Sequence, residues 1–145
     1  MKQLSILVII VVSVVLFSCK EKVAAEKSIS EKVANKIEVI DFHSTHRCMT
    51  CNAIESSTKY TLDTYFSEEL KNESITFQIV NVDDEKNYKL AEKFEATGTA
   101  LFLNVIVDGK ETKIDLTEFA FINGNDQEKF SNELKITLES ELKKV

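Results

Sequence analysis

The stretch "DFHSTHRCMTCNAIE", residues 41–55, holds both histidines of the chain and two of its three cysteines. It is open to three readings: a metal site, a dithiol redox site, or the start of an ordinary helix. What flanks it narrows the choice. Upstream, "IEVIDFHS" from Ile37 combines β-branched and aromatic residues in the manner of a strand. Downstream, Ile54, Leu62, Tyr65 and Phe66, helped by Thr58, recur at helical spacing, which predicts a helix starting near Cys48. A Cys-x-x-Cys pair that opens a helix has its sulfurs brought together by one helical turn. The free N–H groups of the helix start stabilise an anionic sulfur at the first cysteine.

Further along, "SITFQIVNVDD" (74–84) reads as a second strand, ending in acids suited to open a helix. In "EKNYKLAEKFEATG", Tyr88, Leu90, Ala91 and Phe94 share one helical face, and Gly98 is the expected terminator. "TALFLNVIVDGKETKIDL" reads as a hairpin whose Asp108-Gly109 suits a type I′ turn. "LTEFAFINGND" has no clear pattern. From about Gln127 to Lys144, Phe130, Leu134, Ile136, Leu138 and Leu142 repeat as in a helix, with Lys143 and Lys144 in its last turn. The order β-α-β-α-β-β-α predicts an α/β domain: a mixed central sheet, parallel early and closed by an antiparallel hairpin, with helices on both faces. With no proline and only three glycines, turn punctuation is sparse. The net charge of −6, without a separate basic patch, argues against nucleic acid as a partner.

The beginning of the chain has a different character. "MKQLSILVIIVVSVVLFSC" carries a basic residue, Lys2, then an apolar run from Leu4 to Phe17, and then Cys19. This is the pattern of an export signal, and the run is shorter than the roughly 20 residues a spanning helix needs. "LFSC" (16–19) looks like a bacterial lipobox, although Phe17 is bulkier than the commonest residue at its position. A plain cleaved signal with an incidental cysteine is the competing reading. The expected organisation is a lipoprotein signal peptide over 1–18, a lipidated Cys19 with a flexible tether over 19–36, and a folded domain over 37–145. Lipidation would hold the mature chain to a membrane of the bacterial cell envelope, on the periplasmic or outer-membrane side. Cys48 and Cys51 then remain as one pair in a compartment where thiols meet oxidants.

Length, element order and a Cys-x-x-Cys directly after the first strand resemble the thioredoxin-like superfamily over most of residues 37–144. "VNVDDEKNYKLAEKFEATGTALFLNVIVDGKE" looks like the second half of a thioredoxin. More narrowly, "HRCMTCNAIE" is similar to small bacterial thioredoxin-like lipoproteins sometimes labelled as a nitrophenyl-compound nitroreductase subunit. Nothing in the chain resembles a flavin site, and no cofactor is expected. The resemblance implies a thioredoxin-like fold. It also implies a substrate groove at Thr99 and Ala100, where thioredoxins carry a cis-proline. Ala100 stands at that position, and the peptide before it is expected to be trans, because a non-proline cis bond costs about 2.5–4 kcal/mol. Arg47 replaces the tryptophan usual before the first cysteine. Asp41 matches the buried acid that assists proton transfer in thioredoxins, but lies one residue further from the cysteine pair.

The expected chemistry is thiol–disulfide exchange, with Cys48 as nucleophile and Cys51 as the more buried resolving thiol. The partner would be a thiol or disulfide protein or another redox donor. Arg47 either points back to the Cys48 sulfur and lowers its pKa or is a solvated flank. His46 either meets the thiolate or has no chemical role, and His43 either joins it or caps the strand. The rival reading is metal or metalloid capture by His43, His46, Cys48 and Cys51, a ligand set that suits Zn²⁺, Cu(I) or As(III). A third reading is a structural disulfide on an interaction domain. The direction of electron flow and the oligomeric state are encoded in no residue of the sequence.

Overall fold

The computed structural model describes residues 34–145. The expected signal peptide, the lipidated Cys19 and the tether up to residue 33 lie outside the described residues. Among the described residues no helix is long and apolar enough to cross a membrane.

Strand β1 spans Lys36–His43, and helix α1 spans Met49–Tyr65. A short helix α2 (Ser67–Lys71) leads to strand β2 (Ile75–Asn81). A 3₁₀ turn (Glu85–Asn87) runs into helix α3 (Tyr88–Lys93), followed by strands β3 (Ala100–Val107) and β4 (Lys110–Asp115). Helix α4 (Thr117–Asn123) and helix α5 (Gln127–Leu142) complete the chain. The order of the predicted elements holds, with α2 and α4 as additions. The four strands form one sheet in the order β2-β1-β3-β4. β1 is parallel to β2 and antiparallel to β3, and β3 is antiparallel to β4. This is the mixed sheet with helices on both faces that the element order predicts.

Alternation along β1 sorts the core into two layers. Ile37 and Val39 face one way and pack with Ile54 and Leu62 of α1 and with Phe130, Leu134 and Leu138 of α5. Ile40 and Phe42 face the other way, toward Val80, Phe94 and Phe102. Each such fully buried side chain contributes about 1.5–3 kcal/mol relative to exposure. Ser57, Thr58 and Thr61 are buried on the inner side of α1, and α1 packs against α5. The Thr61 hydroxyl satisfies itself by donating to the Ser57 carbonyl at 2.7 Å.

Local chemistry explains the ends of the elements. Asp108 and Gly109 take φ values of 51° and 76°, the left-handed pair that a type I′ turn needs. The Asp126 side chain accepts from the Lys129 N–H at 3.0 Å and caps α5. Gly98 does not terminate α3. Glu95 does so, in the left-handed region at φ 55°, with Ala96 N–H donating to the Ala91 carbonyl and Glu95 N–H to that of Glu92. That bond pair is a Schellman closure. Three apolar residues assigned by spacing to inner faces, Tyr65, Tyr88 and Ile136, are exposed. Tyr65 is the last residue of α1 and Tyr88 the first of α3, so both stand at helix ends. Lys143 and Lys144 fall just past the last turn of α5, where Lys144 pairs with Glu141 at 2.6 Å.

Candidate active site

β1 delivers the chain to one end of the sheet, and the loop of Ser44 to Arg47 carries it to Cys48, the N-cap of α1. That loop is fastened to the end of β2. Val82 N–H donates to the His43 carbonyl at 2.8 Å, Thr45 N–H to the Asp83 carboxylate at 2.7 Å, and the Asn81 amide to the Thr45 hydroxyl at 3.1 Å. The Thr45 hydrogen bonds hold the Asp83 carboxyl below the usual carboxylate range, and the nearby His46 and His43 act in the same direction.

Cys48 and Cys51 are joined as a disulfide with their Cα atoms 5.1 Å apart. The Cys48 sulfur accepts the Cys51 backbone N–H at 3.1 Å, so it occupies the place of a capping oxygen at the positive end of the helix. Cys48 is exposed, whereas Cys51 is only 7% exposed. One sulfur of the pair is reachable from solvent and the other is screened by the domain. Met49, at 87% exposure, stands beside the reachable one.

Asp41 lies on the Ile37–Val39 face of β1 and is completely buried. The residue by which its spacing exceeds the thioredoxin pattern does not turn it outward, because strand alternation keeps Asp41 in phase with Ile37 and Val39. Neither carboxylate oxygen has a hydrogen-bond partner among the described residues. Burial pushes the Asp41 carboxyl up to about 7; Arg47 pulls it down and Glu55 pushes it up.

Arg47 takes neither of its expected positions. Its guanidinium donates to Glu55 Oε2 at 2.5 Å and to the Cys51 carbonyl at 3.5 Å, and it lies 3.8 Å from Asp41 Oδ2. Two carboxylates, one of them desolvated, hold the cation more strongly than a single surface sulfur would. Glu55 was missed from the sequence although a signal was present: it stands four residues after Cys51, on the same face of α1. Asp83 and Thr45, the loop fasteners, carry no sequence signal because their contact crosses 38 positions.

In this disulfide form the four residues of the metal reading are not gathered into one ligand set. His43 Nδ1 is paired with the Ser44 carbonyl at 2.9 Å, His46 is exposed, and the cysteines are bonded to each other. Among the described residues no three His, Cys, Asp or Glu side chains converge to hold a metal.

Ala100 opens β3 opposite Phe42, at the end of the sheet from which the cysteine loop leaves. Thr99 and Ala100 are half-buried, and no described peptide bond is cis. A Cβ placed on Gly98 would lie 3.6 Å from the Ser44 hydroxyl, so this segment runs beside the loop. On the other flank, the Asn125 amide meets the Thr50 hydroxyl at 3.4 Å. The loop before Cys48 and the first turn of α1 after it therefore adjoin the start of β3 and the α4–α5 turn respectively.

No protein-family model matches the chain, and no curated protein matches it. Among solved structures it is similar to a thioredoxin from Thermus thermophilus, with 18% identity and a TM-score of 0.47 over 71% of this chain and 74% of that one. It is also similar to Fasciola hepatica thioredoxin, with 23% identity and a TM-score of 0.39 over 61% of this chain and 76% of that one. A structure described as that of a malarial protein aligns with 20% identity and a TM-score of 0.39, over 61% of this chain and 96% of the other.

Proposed function

We propose that the chain is a thiol–disulfide oxidoreductase, anchored to a bacterial envelope membrane through a lipidated Cys19, that exchanges the Cys48–Cys51 disulfide with a thiol or disulfide partner. The observation that carries this reading is the asymmetry of the pair: an exposed sulfur at a helix N-cap bonded to a screened one, with the Arg47 guanidinium linking the Cys51 carbonyl to the buried Asp41 carboxyl. In the reduced protein the Cys48 thiolate attacks a partner disulfide, one partner sulfur leaves as thiolate, and a mixed disulfide forms. Cys51 then gives its proton to Asp41, and its sulfur attacks Cys48. The Cys48–Cys51 bond forms, the second partner thiolate leaves, and two electrons have passed from the protein to the partner. The reverse sequence oxidises a dithiol partner. A carboxyl that titrates near neutrality is suited to take and return that proton.

Titration of the folded domain against a glutathione redox buffer, with metal content measured alongside, tests the reading. A single two-electron transition without bound metal is expected, and Cys51→Ala is expected to accumulate mixed disulfides through Cys48. Stoichiometric metal that protects both thiols, or a disulfide that resists reduction throughout, would overturn it. The anchor is tested separately, since Cys19→Ser should move the protein from the membrane fraction to the soluble one.

A further inference from the structure

We propose that Glu55 is a positioning residue of the redox centre: by holding the Arg47 guanidinium, it prevents that cation from closing fully onto Asp41 and so leaves the buried acid able to exchange a proton. The kinetic consequence rests on the redox reading of Cys48 and Cys51; the geometry does not.

An arginine beside a buried carboxylate ordinarily forms a two-pronged, hydrogen-bonded pair with it. Here Nη1 is spent on Glu55 at 2.5 Å, and Nη2 reaches the Cys51 carbonyl at 3.5 Å. The 3.8 Å separation from Asp41 Oδ2 is longer than a hydrogen bond, and both Asp41 oxygens are without a partner among the described residues. The cation thus acts on Asp41 through space and does not lock it. α1 itself fixes this division, because Glu55 lies one turn beyond Cys51 and the guanidinium bridges the side chain of one and the backbone of the other.

Among the described residues, the other elements around Asp41 bring no competing charge to it. Its register neighbours are Ile79 on β2 and Leu101 on β3, both apolar. α4 contributes Ala120 to this core, and α5 contributes Phe130, Leu134 and Leu138, while the buried Glu141 of α5 is paired with Lys144. Arg47 and Glu55 are the charges that act on Asp41, and they act in opposite directions. Removing one or the other should therefore move Asp41 in opposite directions, a pattern that a purely structural role for the ion pair does not produce.

The test is an infrared titration of the Asp41 carboxyl band in the oxidised full-length protein, with Asp41→Asn to assign the band. Glu55→Gln should lower the midpoint by about one pH unit or more, as the freed guanidinium closes on Asp41, and Arg47→Gln should raise it by a similar amount. The pH profile for resolution of the mixed disulfide should move the same way in each variant. A Glu55→Gln midpoint that is unmoved or raised, or two variants that shift in the same direction, would overturn the proposal. The infrared measurement needs no turnover. Absence of a two-electron transition in the unaltered protein would therefore sink the redox reading while leaving the positioning of Asp41 to be judged on its own result.

Discussion

Asp41 and Phe42 are consecutive in β1, and their side chains leave the sheet on opposite faces into very different surroundings. Phe42 meets Phe94 and Phe102 at ring-centroid distances of 5.6 and 6.0 Å, and those two rings meet each other at 5.3 Å. The three rings pack with Ile40, Val80 and Ala91, and the Lys93 and Lys113 ammonium groups lie over the Phe94 ring, at 5.6 and 5.1 Å from its centroid. Asp41 is as deeply buried, yet its oxygens are unmatched, with one cation nearby that is shared with Glu55. One face of the strand supplies stability. The other, beside the core of Ile37 and Val39, holds a group whose charged form lowers stability. Adjacent positions of one strand can therefore serve opposed demands, because the sheet separates them by its own thickness. Local inconsistency of this kind is concentrated where chemistry is done.

The contrast can be broken from either side. Phe42→Ala should have the largest effect, destabilising the domain by about 5 kcal/mol in chemical denaturation. It leaves a large cavity and removes two aromatic contacts, which puts it at the upper end of the range for such truncations. Asp41 should come next, as a pH dependence. Its folded-state pKa is raised from 3.8 to about 7, so the folded protein binds the proton more tightly than the unfolded chain. The stabilisation is complete below pH 4 and is lost as pH rises from about 4 through 7, a change on the order of 4 kcal/mol. Asp41→Asn should flatten that slope when stability is followed across the window, and should slow resolution of mixed disulfides. An unchanged slope would show that the carboxyl is not desolvated. The smallest effect should come from Gly124→Ala on the Asp41 side. The new Cβ would lie 2.7 Å from the Ala120 carbonyl oxygen and 2.9 Å from Ile54, costing about 1–3 kcal/mol in stability as the α4–α5 turn shifts.

Much of the fold was legible because its signals are local. The β-branched run of β1, the helical spacing of Ile54 and Leu62, and the Asp108-Gly109 turn each act within a few residues. Errors arose where a local pattern needed a distant surface to complete it. Tyr88 and Ile136 have the spacing of core residues but meet no opposing layer. Ile79 fits an alternating strand, yet β2 is an edge of the sheet and Ile79 is exposed near its end. Glu95 replaced Gly98 as the helix terminator because contacts around Phe94 and Ala96 hold the backbone in a conformation that glutamate does not choose alone. At the candidate site the cysteine pair and its asymmetry were readable from position at a helix start. The partners of Arg47 were not, since adjacency to Cys48 in sequence says nothing about two carboxylates arriving from a strand and from the next turns of the helix.

The sequence by itself determined the kinds and order of the main elements, the Cys-x-x-Cys at the head of α1, and the hairpin turn. Each of these follows from side-chain periodicity or from backbone preferences acting over a few residues. Only the tertiary structure decided that β1 runs between β2 and β3, that Asp41 is buried without a hydrogen-bond partner among the described residues, that Arg47 is held by Glu55, and that among those residues the histidines do not gather with the cysteines. Those outcomes depend on which surfaces are excluded from water and which charges then face each other, and both are properties of the assembled layers.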